Sequence, residues 1–278
     1  MVDVAEAPTP IVISAAGGPR WAALPALWQY RELLYFLAWR DLKVRYSQTA
    51  LGIAWAVLQP LGTAVVFTVF FGRVVGVPSD GLPYPLWSYA GVLVWTYVAT
   101  VVASAGQSLL GNASLITKVY FPRVVVPASA ATAALVDLGL GFLMLLGLMA
   151  FYGFVPSAAA LLVVPLVALT VVLALGVGIG LSALTVLYRD VRHVVPFAMQ
   201  LWMFATPIVY PLSLVPSDWR WVVALNPIAG VVEAFRASLL GRPLPWPALA
   251  VSAGVGVGAL VLAWLYFERV ERRFADVV

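Results

Sequence analysis

"YFLAWRDLKVRYSQTALGIAWAVLQP" runs from Tyr35 to Pro60. Its first half sets Arg40, Asp41, Lys43 and Arg45 among aromatic residues, and from Leu51 onward it is apolar enough for a bilayer interior. Trp28, Tyr35, Trp39, Leu42 and Tyr46 follow one another at steps of 7, 4, 3 and 4, which places them on one helical face. Arg31, Glu32, Lys43 and Arg45 flank that face. The pattern predicts a helix lying in the headgroup layer, apolar side down, joined with almost no linker to a membrane span.

The rest of the chain agrees with a polytopic membrane protein. It has 278 residues, 63% of them hydrophobic and only 10% charged, with a mean hydropathy of +0.99. A soluble domain of this length needs far more polar surface. The net charge of +4 is no nucleic-acid footprint, because its meaning depends on where the cations fall relative to the spans. There is no cysteine, which excludes disulfides, thiolate metal sites and a Cys nucleophile, and His193 is the single histidine. No basic segment precedes an apolar core at the start, so residues 1–27 read as a mobile N-terminal tail rather than a cleaved signal. Residues 28–50 then form the amphipathic interface helix, and 51–278 the six-span transmembrane domain.

Six stretches reach the ~20 apolar residues a span requires: about Leu51–Val75, Pro85–Gln107, Val124–Tyr152, Ala158–Leu187, Val194–Leu212 and Pro247–Phe267. Val222–Leu240 is also apolar, but it is short, contains Asn226–Pro227 and carries Glu233 and Arg236, so it reads as an outer re-entrant segment. With the N-terminus inside, twelve of the sixteen Lys and Arg residues are cytoplasmic, leaving Arg73, Arg220, Arg236 and Arg242 outside. That bias predicts both termini to be cytoplasmic. Tyr84, Trp87, Tyr89, Trp219, Trp221 and Trp246 read as an aromatic belt on the outer side.

Ionisable groups within the spans are few. Asp137 stands alone in the third, and Glu233 and Arg236 are spaced to pair locally. This is thin machinery for an ion-coupled transporter. The chain carries no H-E-x-x-H, no G-x-S-x-G and no phosphate-binding G-x-x-x-x-G-K-[ST], so it has no evident means of breaking a bond or using ATP itself. No catalytic, metal or cofactor site is expected on it. A partner must supply any work, and three cytoplasmic features offer it a handle: the opening helix, "LLGNASLITKVYFPR" (Leu109–Arg123) and the turn "LYRDVRHVVP" (Leu187–Pro196).

Four motifs occur in order: "RDLKVRYSQTALGIAWAVLQPL", "LITKVYFPR", "LYRDVRHVVPFAMQLWMFATPIVYP" and "LNPIAGVVEAFR". From about Trp28 onward the chain resembles the membrane (permease) subunit of type-2 ABC exporters that move lipid-linked polysaccharides such as O-antigen, capsule or teichoic acid. The resemblance implies an all-α integral membrane fold in the bacterial inner membrane, working as a homodimer with two copies of a separate ATP-binding subunit that holds ATP and Mg. It implies an interface helix carrying Tyr35, Trp39, Arg40, Asp41, Lys43, Arg45 and Tyr46. It assigns a coupling helix between the second and third spans, with Leu115, Lys118, Tyr120, Phe121 and Arg123, and leaves Tyr188, Arg189, Asp190 and Arg192 of the next cytoplasmic turn as further ATPase contacts. It also implies that the first and fifth spans line a central path. Sugar rings stack their C–H faces on aromatic rings, so a sliding path should be aromatic and uncharged. Phe67, Phe70 and Phe71 in the first span and Phe197, Gln200 and Phe204 in the fifth are the candidates. The alternatives are an ABC permease for a small hydrophobic drug or lipid, a membrane glycosyltransferase or a secondary transporter. A glycosyltransferase would want paired outer carboxylates, and only Asp80 and Asp218 lie in the outer loops.

Overall fold

The computed structural model describes residues 27–156 and 158–271; all but the last residue of the predicted tail, and Arg272 and Arg273, lie outside them. Among the described residues every regular element is helical. α1 spans Arg31–Tyr46. After a short 3-10 turn, Gly52–Ala54, α2 covers Trp55–Phe67 and widens into a π-helical stretch, Thr68–Val75. α3 is Tyr84–Gly111, α4 Ala113–Lys118 and α5 Val125–Phe151. α6 is Val163–Leu187, α7 Val191–Ala205, α8 Ser217–Ala224, α9 Pro227–Leu240 and α10 Trp246–Glu271.

α3 is the central post. Leu86, Tyr89, Ala90, Val101, Val102 and Ala105 are all fully buried along it, and α2, α5, α6, α7 and α9 pack around it. Lipid tails are as apolar as leucine, so burial alone does not drive such helices together; close packing does. Small residues therefore mark the tightest contacts. A Cβ on Gly176 of α6 would lie 2.8 Å from the Leu260 backbone nitrogen of α10, and one on Gly230 of α9 would strike the Ala248 carbonyl of α10. A second core joins Leu37 of α1 to Ile116 of α4, Phe121, Val125, Ile179 of α6 and Phe267 of α10.

Among the described residues, five helices are long and apolar enough to cross a bilayer: 52–75, 84–111, 125–151, 158–187 and 246–271. The candidates become six if the bent pair α8–α9, angled at 96°, counts as one. Val194–Leu212, expected as the fifth span, is not one continuous helix. α7 has 15 residues, about 22 Å at ~1.5 Å per residue, against a hydrocarbon core of ~30 Å. Pro207 and Pro211 cannot continue a helix, and Thr206, Pro207, Ile208 and Val209 follow α7 as buried irregular chain. Such backbone survives at membrane depth only where the protein satisfies its polar groups. Arg236 of α9 donates to the carbonyls of Pro207 and Ile208, both at 2.8 Å, and the Tyr84 hydroxyl donates to Val209 O at 2.8 Å.

The aromatics expected on the outer side divide. Trp219, Trp221 and Trp246 are exposed, as a belt requires, but Tyr84, Trp87 and Tyr89 are buried and serve the interior instead. Arg236, counted above among the outer cations, is also fully buried. Val222–Leu240, read from the sequence as re-entrant, bends sharply between α8 and α9 at Asn226.

Candidate functional site

α1 seats the opposite side from the one its aromatic spacing emphasises. Leu37 and Ala38 are buried, with Leu33 and Leu34 beside them, while Tyr35 and Trp39 stay exposed. Arg40 pairs with Asp41 at 2.7 Å, and Lys43 is exposed. The join to α2 is a clasped turn rather than continuous helix. Ser47 donates to Lys43 O, Thr49 donates to Tyr46 O at 3.0 Å, and Gln48 takes a positive φ of 62°.

The end of α1 is bolted to α5. Arg45 forms an ion pair with Asp137, and the Tyr46 hydroxyl donates to the other carboxylate oxygen at 2.7 Å. Asp137, read as solitary from the sequence, is thus the anchor for the end of α1. Burial first, and then the neighbouring carboxylate, push the Tyr46 phenol up to about 12. A raised pKa means that its contribution to stability is complete below the ordinary value of 10.0 and is lost as pH rises through about 12. The phenol therefore donates throughout the neutral range.

The predicted coupling residues divide between surface and core. Lys118 and Tyr120 are exposed, Tyr120 at 76%, and Leu115 is half-buried. Phe121 is 5% exposed and belongs to the second core, so it holds the segment in place rather than offering itself to a partner. Arg123 turns toward α10, where its backbone N–H meets the Glu271 carboxylate at 3.3 Å and its guanidinium meets the Glu271 carbonyl. In the next turn Tyr188, Arg189, Asp190 and Arg192 are all exposed or half-exposed, and Arg192 donates to His193 at 3.1 Å.

The path candidates divide too. Phe67 is buried in the main core, with Phe71 set edge-on at 5.7 Å and half-buried, while Phe70 faces outward. On α7, Phe197, Gln200 and Phe204 share one exposed face, and Val195 and Met199 bury the other. α2 and α7 both lean on α3, leaving their outer faces uncovered.

Two polar centres lie behind those faces, and of them the sequence spacing indicates only the local Glu233–Arg236 pairing. Asn226 caps α9 by accepting from Ile228 N at 3.1 Å, accepts from the Trp202 indole at 3.1 Å, and donates to Thr206 at 2.9 Å. Arg236 donates to Trp87 O at 3.1 Å, pairs with Glu233 at 2.9 Å, and lies over the Trp87 ring at 3.6 Å. Gly91 leaves room for that guanidinium, which a Cβ there would strike. The available signal was a charge inside an apolar stretch, which in a membrane demands partners.

These features define a multi-pass membrane protein with exposed aromatic faces on α2 and α7 and a cluster of exposed residues at the α3–α5 connection. The chain belongs to the ABC-2 type transporter family, whose model matches residues 32–240. It is 34% identical to the O-antigen export system permease protein RfbA of Myxococcus xanthus, over 91% of this chain and 97% of that one. It is 28% identical to the protein of the same name from Klebsiella pneumoniae, over 89% and 95%. The polysialic acid transport protein KpsM of Escherichia coli is 19% identical over 72% of this chain and 78% of its own.

Proposed function

We propose that this chain is the membrane permease subunit of an ATP-driven exporter that moves a lipid-linked polysaccharide across the bacterial inner membrane. The observation that carries this is the near end-to-end likeness to O-antigen export permeases. The uncovered, uncharged faces around Phe70 on α2 and Phe197, Gln200 and Phe204 on α7 support it, because a sugar polymer slides past aromatic rings without being trapped. Two copies of the chain would bring four such faces around one path. Two ATP-binding subunits, holding ATP and Mg, would dock against α4 and the α6–α7 turn. Both termini would lie in the cytoplasm, with the tail at 1–27, the interface helix at 28–50 and the permease domain at 51–278.

The test begins with deletion of the gene, which is expected to remove the polymer from the cell surface. Tyr120→Ala should then weaken co-purification with the ATPase and reduce export at unchanged membrane level, since docking one exposed aromatic in a partner cleft contributes ~1–3 kcal/mol. Unchanged co-purification together with unchanged export would remove Tyr120 from the interface.

Phe70→Leu, Phe197→Leu and Phe204→Leu are expected to slow export several-fold in combination, without loss of protein from the membrane. Leucine retains most of the apolar volume and removes the π face. Phe67→Leu should instead act through packing and lower the melting temperature, because Phe67 is buried. Full export from the triple variant at matched membrane level would place the path elsewhere.

A further inference from the structure

Serine and threonine in membrane helices usually return their hydroxyl hydrogen to a carbonyl one turn back, which removes the cost of an unpaired donor. The described membrane helices follow that habit with one exception. Thr63 and Thr68 in α2, Ser88 and Ser108 in α3, Ser129 and Thr132 in α5, Thr170, Ser182 and Thr185 in α6 and Ser252 in α10 all donate to their own helix. Thr96, Thr100 and Ser104, at successive i,i+4 positions of α3, make no side-chain hydrogen bond among the described residues. All three line a single pocket of ≈ 280 Å³ between α1, α2, α3 and α5.

The rest of the lining follows the same chemistry. The Gln59 amide also has no side-chain partner among the described residues. Pro60 lacks the N–H that the Ala56 carbonyl would otherwise accept, and both residues border the space. Trp55 contributes a half-exposed indole. Tyr46 and the Arg45–Asp137 pair complete the wall. Three hydroxyls, each donor and acceptor, and an amide with two donors and an acceptor therefore share one space with the aromatic side chains of Trp55 and Tyr46.

That inventory selects among occupants. A lipid tail would leave the three half-buried hydroxyls unpaired, an outcome that donors and acceptors withdrawn from water resist. A phosphate would meet a guanidinium already engaged by a carboxylate that repels it. A neutral polyhydroxylated ring satisfies the hydroxyls and the amide and lays its C–H face on the indole. The volume lies just below the ~300–1,000 Å³ of drug-sized ligand pockets, which suits one ring rather than a run of them. We infer that this pocket, at the joint between the interface helix and the first span, is a binding subsite for a single sugar residue of the exported polymer. The inference rests on the export reading above and adds a site to it.

The test uses the absence of native cysteine. Ser104→Cys, in the complex with its ATPase in native membrane vesicles, is treated with a small water-soluble thiol reagent. Oligosaccharides released from the strain's own surface polymer are expected to slow the modification several-fold, and inorganic pyrophosphate is not. Adding Gln59→Leu or Trp55→Leu should abolish that protection, while Ser47→Cys, outside the pocket, should react equally with or without sugar. Equal or better protection by pyrophosphate would make this an anion site and overturn the inference. Protection by neither probe, or an introduced thiol that never reacts, would also overturn it. The gene deletion separates the two readings. If surface polymer persists without the gene, the export reading fails. If the polymer is lost but the thiol of the Ser104→Cys variant is unprotected, export stands and the sugar subsite falls.

Discussion

Arg236→Met is expected to cause the largest loss of any single substitution at a side chain. The guanidinium is fully buried and supports the carbonyls of Trp87, Pro207 and Ile208 as well as Glu233. Methionine fills similar space and donates nothing. Each carbonyl left unpaired costs ~1–3 kcal/mol, and removing one partner of a buried ion pair typically costs ~3–5 kcal/mol. The irregular chain after α7 would lose the groups that make it tolerable inside the bundle, and α9 would lose its grip on α3. A steep fall in membrane-inserted protein and in the melting temperature of the detergent-purified remainder should follow. Arg236→Lys should rank between the two, because an ammonium lacks the planar fork that reaches several carbonyls at once and stacks over the Trp87 ring. Wild-type melting of the methionine variant would show that the carbonyls find other donors and that Arg236 is no keystone.

Asp137→Ala is expected to have the next largest effect, of a different kind. It removes the acceptor for Arg45 and Tyr46 together and leaves a half-buried guanidinium without its counter-ion. Bonds to charged groups contribute ~1.5–3 kcal/mol each, but α1 keeps Leu37 and Ala38 buried. The helix should therefore stay docked at its start and loosen at its end, where it enters α2. Export at matched membrane level should fall strongly while the amount of inserted protein falls modestly. Limited proteolysis should show new cleavage within Ser47–Leu51, the turn between the two helices. Asp137→Asn, which can still accept from Tyr46, should restore part of the protection. An unchanged cleavage pattern in the alanine variant would mean that the ion pair does not hold the joint.

Much of this architecture was legible because membrane solvation imposes simple rules on a linear chain. The run 158–187 is apolar on every side and 125–151 departs from that only at Asp137, and no soluble packing accounts for such stretches. The bend at Asn226–Pro227 could be read because proline disfavours helical geometry in the residue before it. The local spacing of Glu233 and Arg236 anticipated their pairing. Where reading stopped was at facing. Phe67 and Phe70 lie three residues apart in one apolar segment, yet one is buried and the other is open. Tyr120 and Phe121 are neighbours with opposite fates. The length of α7 was overestimated because hydropathy counts apolar residues and not helical ones, and Thr206–Val209 is largely apolar, buried and irregular.

The sequence by itself determined that the chain is an all-helical membrane protein, roughly where it crosses, which family it resembles and that it carries no bond-breaking motif of its own. Each of these depends on composition, period or motif, all of which are local along the chain. Only the tertiary structure decided that Asp137 receives Arg45 and Tyr46 from more than ninety positions away, that Arg236 completes the end of α7, and that Thr96, Thr100 and Ser104 look into a shared pocket. Those are pairings between helices. In a bilayer nearly every helix face is apolar, so hydropathy does not say which face meets a neighbour. Small residues, and the need to satisfy each buried polar group, select the partner, and both become visible only when the helices are side by side.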